Sequence, residues 1–353
     1  MGLFNLFKKK ETSKTNHGFH ELKVSEVKRL NEKSVLVSFD VPSDLIQEFQ
    51  FIPGQYLNFE VEIKGEKHRR SYSICSGSNQ PLSVAVKAVE NGIVSNWFNK
   101  QLKVGDTLRV AAPEGNFTLN SEHKNIVAIA AGSGITPIMS IAKALTNGKV
   151  NLFFGNRTKS DAVFLSEIQS MSNVQFTGFL SQEEVEGFHK GRIDKKTFTE
   201  IIKSDLNILK ADAFFICGPE GMIQDVKETL KLFGVNDKKI KFELFTAPIN
   251  VEPIQEVDFK GTSEVTVILD HEKLTFEMKS GNATILDLVE KNGMDAPYSC
   301  RGGVCCSCKA KIMEGKATMR VNYSLTDEEV KQGYILTCQA QPNSEKLTIS
   351  YDE

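Results

Sequence analysis

At 353 residues, with 40% hydrophobic and 25% charged side chains, the chain is too long for one ordinary domain and has the composition of a soluble globular protein of two or three. A formal net charge of −2 excludes a polycation built for nucleic acid or an anionic membrane. No apolar run approaches the ~20 residues that span a bilayer.

The opening MGLFNLFKKKE places its apolar stretch ahead of its lysines, the reverse of a secretory signal. Gly2 raises myristoylation, but Leu6 stands where that motif has Ser or Thr. Residues 1–17 are expected to form a flexible tail, and Leu3, Phe4, Leu6 and Phe7 leave open a loose membrane contact.

From 18 to 120 the pattern is all-β. SVLVSFDV, QYLNFEVEI, RRSYSICS, PLSVAVKAV and DTLRVAAP are short, rich in β-branched and aromatic residues, and bounded by Pro, Gly, Asn or Asp. One helical piece, GIVSNWFNKQL, interrupts them. Six or so strands over about a hundred residues predict a small antiparallel β-barrel.

From 121 to 247 strands and helices alternate. NIVAIAA, VNLFFGN, NVQFTGFLS, DAFFICG and KIKFELF read as strands; ITPIMSIAKALTN, DAVFLSEIQSM, TFTEIIKSDL and GMIQDVKETLKLFG read as helices. This predicts an α/β domain, a doubly wound parallel sheet covered on both faces. Residues 248–262, with mixed polarity and no helical period, are expected to link it to a last unit, 263–353. There EVTVILDHEKLTFEMK reads as a hairpin and TILDLVEKNG as a short helix. This unit is locally acidic, 14 Asp/Glu against 10 Lys/Arg, which a solvated face explains and which also bears on docking a partner.

Seven cysteines are unevenly placed: Cys75 and Cys217 stand alone, four lie between Cys300 and Cys308, and Cys338 follows. An odd number clustered in this way is a metal site in a reducing compartment rather than a disulfide framework, and implies a cytoplasmic protein. Cys300, Cys305 and Cys308 form C-x4-C-x2-C, and Cys338 supplies a fourth thiolate, the plant-type spacing for a [2Fe–2S] centre. The small residues Gly302, Gly303 and Ser307 allow backbone N–H groups to approach the sulfurs. Structural zinc is the competing reading, but zinc sites present paired C-x2-C hooks and the second hook here is a lone cysteine. Cys306 lies off the spacing and reads as a small buried residue beside the cluster.

Gly132-Ser133-Gly134-Ile135-Thr136-Pro137 follows a strand and opens a helix, where glycines let backbone approach a pyrophosphate. Thr136 is expected to cap that helix, with Pro137 at its first position. Pro137 also occupies the third glycine's place, so the full dinucleotide fingerprint is absent. Cys217-Gly218-Pro219 ends another strand, at the edge where an open α/β sheet binds ligands. In the β domain, Arg70 can pair with a pyrophosphate, Tyr72 can stack on an isoalloxazine and Ser73 can hydrogen-bond its N5 edge. Gly92-Ile93-Val94-Ser95 opens a helix and offers another phosphate site.

R-x-Y-S, G-x-x-S, G-x-G-x-T-P and C-G-P, in this order over about 230 residues, resemble the ferredoxin–NADP⁺ reductase superfamily. With the C-terminal cysteine motif, the whole is similar to reductases of the phenylacetyl-CoA epoxidase kind and relatives serving oxygenases, hydroxylases and desaturases. The resemblance implies a third domain of α+β, β-grasp ferredoxin type, and FAD, a [2Fe–2S] cluster and NADPH or NADH as cofactors. It implies that Arg70, Tyr72 and Ser73 hold the flavin, while Lys87, Gly92, Val94 and Ser95 contact its phosphates or adenosine. Gly132, Gly134, Thr136, Cys217, Gly218 and Pro219 would position the nicotinamide nucleotide, with Ser73, Cys217 and Glu243 catalytic and Phe245 shielding the flavin. Arg157, Lys159 and Arg192 are candidates for the 2′-phosphate of NADPH; Gln182 stands where NADPH-preferring relatives often carry arginine. The expected activity passes electrons from NAD(P)H through FAD and the cluster to a partner oxygenase or epoxidase. A desaturase, hydroxylase or quinone as acceptor, and a redox-sensing iron–sulfur module, are the alternatives.

Overall fold

The computed structural model describes residues 18–246 and 259–353. The expected tail and most of the expected linker lie outside the described residues. Three sheets organise the described residues, with hydrophobic cores inside the first, on both faces of the second and against the third.

The first sheet joins β1 (Phe19–Asn31), β2 (Ser34–Asp40), β3 (Tyr56–Ile63), β4 (Glu66–Ser73), β5 (Leu82–Lys87) and β6 (Thr107–Ala111) in the order β4-β3-β6-β1-β2-β5. Its edges meet through the bridge Ile74–Val84 and the bond Cys75 N–H to Ser83 O, 2.9 Å, so the sheet curls into a barrel. Lys64 and Gly65 both take positive φ, the two-residue turn whose twist suits the β3–β4 hairpin. Helix α1 (Ile93–Lys100) buries Val94 and Phe98 against the barrel core.

The second sheet is wholly parallel: β7 (Asn125–Ala131), β8 (Lys149–Asn156), β9 (Val174–Leu180), β10 (Phe188–Lys190), β11 (Ala213–Cys217) and β12 (Ile240–Glu243), ordered β10-β9-β8-β7-β11-β12. Helices α2 (Ile135–Ala144), α3 (Leu165–Ser170), α4 (Lys195–Ser204) and α5 (Glu220–Leu232) complete the domain. Alternate residues of β7 enter different cores, Ile126 and Ala128 one, Val127 and Ile129 the other, which is why the strand reads as an unbroken apolar run. Strand order reverses between β7 and β11, and an open α/β sheet leaves its ligand crevice at such a point.

The third sheet orders β13 (Thr262–Leu269), β14 (Glu272–Lys279), β15 (Lys309–Met319), β16 (Tyr334–Leu336) and β17 (Ala340–Ser350) as β14-β13-β17-β15-β16, with β13 and β17 parallel. Helix α6 (Ile285–Lys291) is capped by Thr284 and Asp287, and α7 (Asp327–Lys331) by Thr326 and Glu329, each as a reciprocal box. This is the expected β-grasp unit. Among the described residues no helix is long and apolar enough to cross a membrane.

Candidate functional site

Period-two alternation divides the Arg70–Ser73 segment of β4 between two faces. Arg70 and Tyr72 stand opposite Phe59 and Leu57 of β3, whereas Arg69 and Ser71 stand opposite Glu60 and Asn58. Tyr72 packs against Phe59 and Phe98, with ring centroids 5.8 and 5.3 Å away. Burial pushes its phenol well above the ordinary range, so it is a fixed neutral ring. Arg70 is exposed and donates to Arg69 O at 2.7 Å. Lys87 ends β5 and is half-buried. Gly92 precedes α1, whose first-turn N–H groups have no intrahelical acceptor. The Ser95 hydroxyl accepts from Val89 N–H at 3.1 Å and the Val94 side chain lies in the core. From these two residues, the backbone is the part offered to a ligand.

The nucleotide candidates collect along the carboxyl edge of the parallel sheet. Gly132–Gly134 form one 3-10 turn that runs straight into α2, so Thr136 lies inside the helix and donates to Ser133 O at 3.0 Å rather than capping it. The expectation of a Thr136 cap is thereby corrected; the glycine turn starts the helix two residues earlier, and Pro137 falls at its third position. A Cβ on Gly134 would lie 2.1 Å from Cys217 O, and one on Gly218 would lie 2.6 Å from Met222 Cε and 3.1 Å from Ala131 Cβ. The two strand ends touch only because glycine stands at both positions, while Gly132, with φ 54°, faces open space. Pro219 leads into α5. Cys217 is fully buried, and desolvation, then the Glu243 charge, pushes its thiol up and keeps it unreactive.

Glu243 ends β12 beside Cys217 and accepts from the Ser73 hydroxyl of the barrel at 3.3 Å. Burial raises its carboxyl to about 8, partly offset by that hydrogen bond. Phe245 follows, 42% exposed. Further along the edge, Arg157 follows β8 and accepts at its carbonyl from Gln182 N–H at 2.9 Å, and Arg192 lies just past β10. Both arginines are exposed. A cavity of about 700 Å³ lined by Lys28, Lys159, Phe164, Glu167 and Glu183 adjoins this outer end, apart from Ser73 and Glu243.

None of the seven cysteines is in a disulfide. Arg301 (φ 52°) and Gly303 (φ 71°) coil the loop so that donors point at sulfur. Gly302 N–H reaches Cys300 Sγ at 3.3 Å, Ser307 Oγ reaches Cys305 Sγ at 3.3 Å, and Cys300 and Cys305 Sγ lie 3.1 Å apart. The Cys305 thiol, and after it Cys338, hold the Cys300 thiol far below its ordinary range. A Cβ on Gly303 would meet Gln339 and Val321 side chains at 3.2 Å. Among the described residues no group of three or more His, Cys, Asp and Glu is already arranged to hold a metal ion. Four gathered thiols ringed by N–H and O–H donors fit an electron-rich iron–sulfur cluster. The N–H-rich helix starts and glycine contacts likewise fit dinucleotide phosphates.

Sequence reasoning missed the residues that seat this loop. Cys306 N–H donates to Tyr56 OH at 3.1 Å, Ser71 Oγ to Ser299 Oγ at 2.8 Å, and Arg69 to Asp295 Oδ1 at 2.6 Å. The available signal was the polar set on β3, Tyr56, Asn58 and Glu60.

Fold and site together define a nicotinamide- and flavin-dependent oxidoreductase that carries its own ferredoxin-type domain. Residues 21–119 match the oxidoreductase FAD-binding domain family, residues 128–228 the oxidoreductase NAD-binding domain family, and residues 267–343 the 2Fe-2S iron-sulfur cluster binding domain family. The chain is 35% identical over 349 residues to one of the subunits of the 1,2-phenylacetyl-CoA epoxidase of Escherichia coli, covering 95% of this chain and 98% of that one. It is 30% identical over 353 residues to the ferredoxin reductase component of 3-ketosteroid-9-alpha-monooxygenase of Mycobacterium tuberculosis, covering 94% and 96%. Phthalate dioxygenase reductase shares the fold, with a TM-score of 0.58 at 24% identity over 94% of this chain and 98% of that one. The chain belongs to this family of reductases, in which FAD-, NAD- and [2Fe–2S]-binding domains share one polypeptide, and its activity is electron transfer from NAD(P)H through FAD to the cluster.

Proposed function

We propose that this chain is the cytoplasmic reductase component of a multicomponent oxygenase of the phenylacetyl-CoA epoxidase kind, and that it takes its electrons from NADPH. The observation that carries the reading is 35% identity to an epoxidase component across nearly the whole of both chains. Bound FAD supplies the conversion of a two-electron hydride into single electrons. Arg70 would hold its pyrophosphate, Tyr72 would lie against the isoalloxazine, and Ser73 would face N5. Lys87 and the backbone of Gly92, Val94 and Ser95 would take the remaining phosphate or adenosine.

Gly132, Gly134, Thr136, Cys217, Gly218 and Pro219 would seat the nicotinamide nucleotide at the strand crossover, with Phe245 as the cover. Glu243, kept neutral by burial, and the Ser73 hydroxyl would hold and return a proton at the edge where the two domains meet. Arg157, Lys159 and Arg192 would attract the 2′-phosphate. Cys300, Cys305, Cys308 and Cys338 would hold the two irons.

Purified reductase, mixed with the oxygenase subunits of a phenylacetyl-CoA epoxidase, is expected to support NADPH-dependent epoxidation. Cluster reduction by NADPH without transfer to those subunits, but with transfer to a desaturase, hydroxylase or quinone, would reassign the acceptor. A kcat/KM for NADH more than about tenfold above that for NADPH overturns the coenzyme assignment.

A further inference from the structure

Strand β3 alternates polar and apolar residues through Tyr56-Leu57-Asn58-Phe59-Glu60-Val61, the pattern of a strand with one face in water. Both sets are nevertheless buried: Asn58 is 3% and Glu60 6% exposed. The ferredoxin domain covers the polar set. At the centre lies Arg69, 3% exposed, whose Nε and Nη2 donate to Glu60 Oε2 at 2.9 and 2.7 Å. The same guanidinium crosses the domain boundary, donating to Asp295 Oδ1 at 2.6 Å and to Ala296 O at 2.9 Å. Its Cζ lies over the rings of Phe19 and Tyr298, each centroid 5.0 Å away. Lysine has neither the planar fork nor the stacking surface for this arrangement.

We propose that Arg69 is a positioning residue, a buried clamp that keeps the ferredoxin domain seated on the outer face of β3–β4, so that the reductase works docked rather than by swinging that domain. The proposal rests on the assignment of Tyr72 to the flavin and Cys300 to the cluster. Tyr72 and Ser71 are neighbours on one strand, Ser299 and Cys300 are neighbours in the loop, and the Ser71–Ser299 bond joins the two pairs. The clamp lies two residues upstream on β4 and on the same face, and it sets the separation between the flavin strand and the thiol loop. Tyr56 OH, receiving Cys306 N–H, closes the far side of the seat.

The test uses the full-length holoprotein and two substitutions. Arg69→Lys keeps the charge facing Glu60 but loses the fork; Asp295→Ala removes the ionic half of the interdomain arm, sparing the bond to Ala296 O, and leaves the barrel's own Arg69–Glu60 pair intact. Hydrogen–deuterium exchange reports docking through the backbone amides of residues 296–306, and stopped-flow absorbance reports cluster reduction. Both variants are expected to exchange these amides about tenfold faster and to reduce the cluster about tenfold or more slowly. NADPH–ferricyanide turnover, which needs only the flavin, is expected to stay within about twofold. Faster exchange with unchanged cluster reduction overturns the positioning role, and unchanged exchange in Asp295→Ala overturns the clamp. If Arg69→Lys fails to fold, Asp295→Ala decides alone. Failure of the underlying cofactor assignment shows in the unsubstituted protein, as a missing iron–sulfur EPR signal; failure of the clamp shows only in the variants.

Discussion

Glu243 is a carboxyl whose folded-state pKa, raised by burial from an ordinary 4.5 to about 8, has a direct consequence for stability. Between those two values the folded chain holds a proton that the unfolded chain has released. The favourable contribution is therefore fully present below about 4.5 and is lost as pH rises through about 8. Glu243→Gln, which cannot ionise, is expected to melt at a temperature that depends less on pH across this window than the parent's does. Parallel pH profiles for the two proteins would remove the buried carboxyl from the account. NADPH–ferricyanide turnover by Glu243→Gln is expected to fall about 100-fold, the scale of a lost proton-transfer group. Cys308 tests the other end of the electron path: Cys308→Ser is expected to keep ferricyanide reduction but to lose both cytochrome c reduction and the iron–sulfur EPR signal. Retention of all three would refute the path.

At the scale of elements, two glycines near the nucleotide crevice make opposite predictions. Gly134 abuts the Cys217 carbonyl, so Gly134→Ala forces the ends of β7 and β11 apart and is expected to cost about 1–3 kcal/mol. Gly221, inside α5 with nothing within 4 Å of its missing Cβ, gains helix propensity on becoming alanine, up to about 1 kcal/mol. Thermal melts without nucleotide check both, and equal shifts in one direction would contradict the packing argument. The parallel sheet was legible in the sequence because its central strands are buried on both faces and read as plain apolar runs. Strand β1 was not, since register shifts after Val24 and Arg29 break its period and its second half is polar. The three-residue β10 is too short to carry a pattern. The expected helix over 161–171 begins only at Leu165, because Phe164 takes a left-handed conformation (φ 62°) that no composition rule anticipates. The thiol ligand candidates were legible from spacing alone. The polar face of β3 was not, because a buried polar face and a wet one have the same alternation until the covering domain is in place.

For the whole molecule, the placement of the third domain separates two kinds of electron transfer by their response to salt. The loop that carries the thiols is held from two sides. Tyr56, Ser71 and Arg69 grip it on the barrel, and Val304 and Tyr323 pack against the core of the parallel sheet. The guanidinium end of that grip is out of water and Asp295 is only partly exposed, and mobile ions screen such pairs less than fully exposed ones. Delivery to a separate partner must begin with an encounter across solvent, where the domain's surplus of acidic residues acts over a Debye length of about 10 Å at 0.1 M salt and about 3 Å at 1 M. Cluster reduction by NADPH is therefore expected to vary less than about twofold between about 0.02 and 0.5 M NaCl, whereas partner-dependent turnover varies more steeply over that range. Stopped-flow absorbance and steady-state assays on one preparation give both curves. An internal step that slows or quickens with salt as steeply as the partner reaction would mean that the ferredoxin domain meets the barrel as a free body would, and that the buried arginine does not hold it.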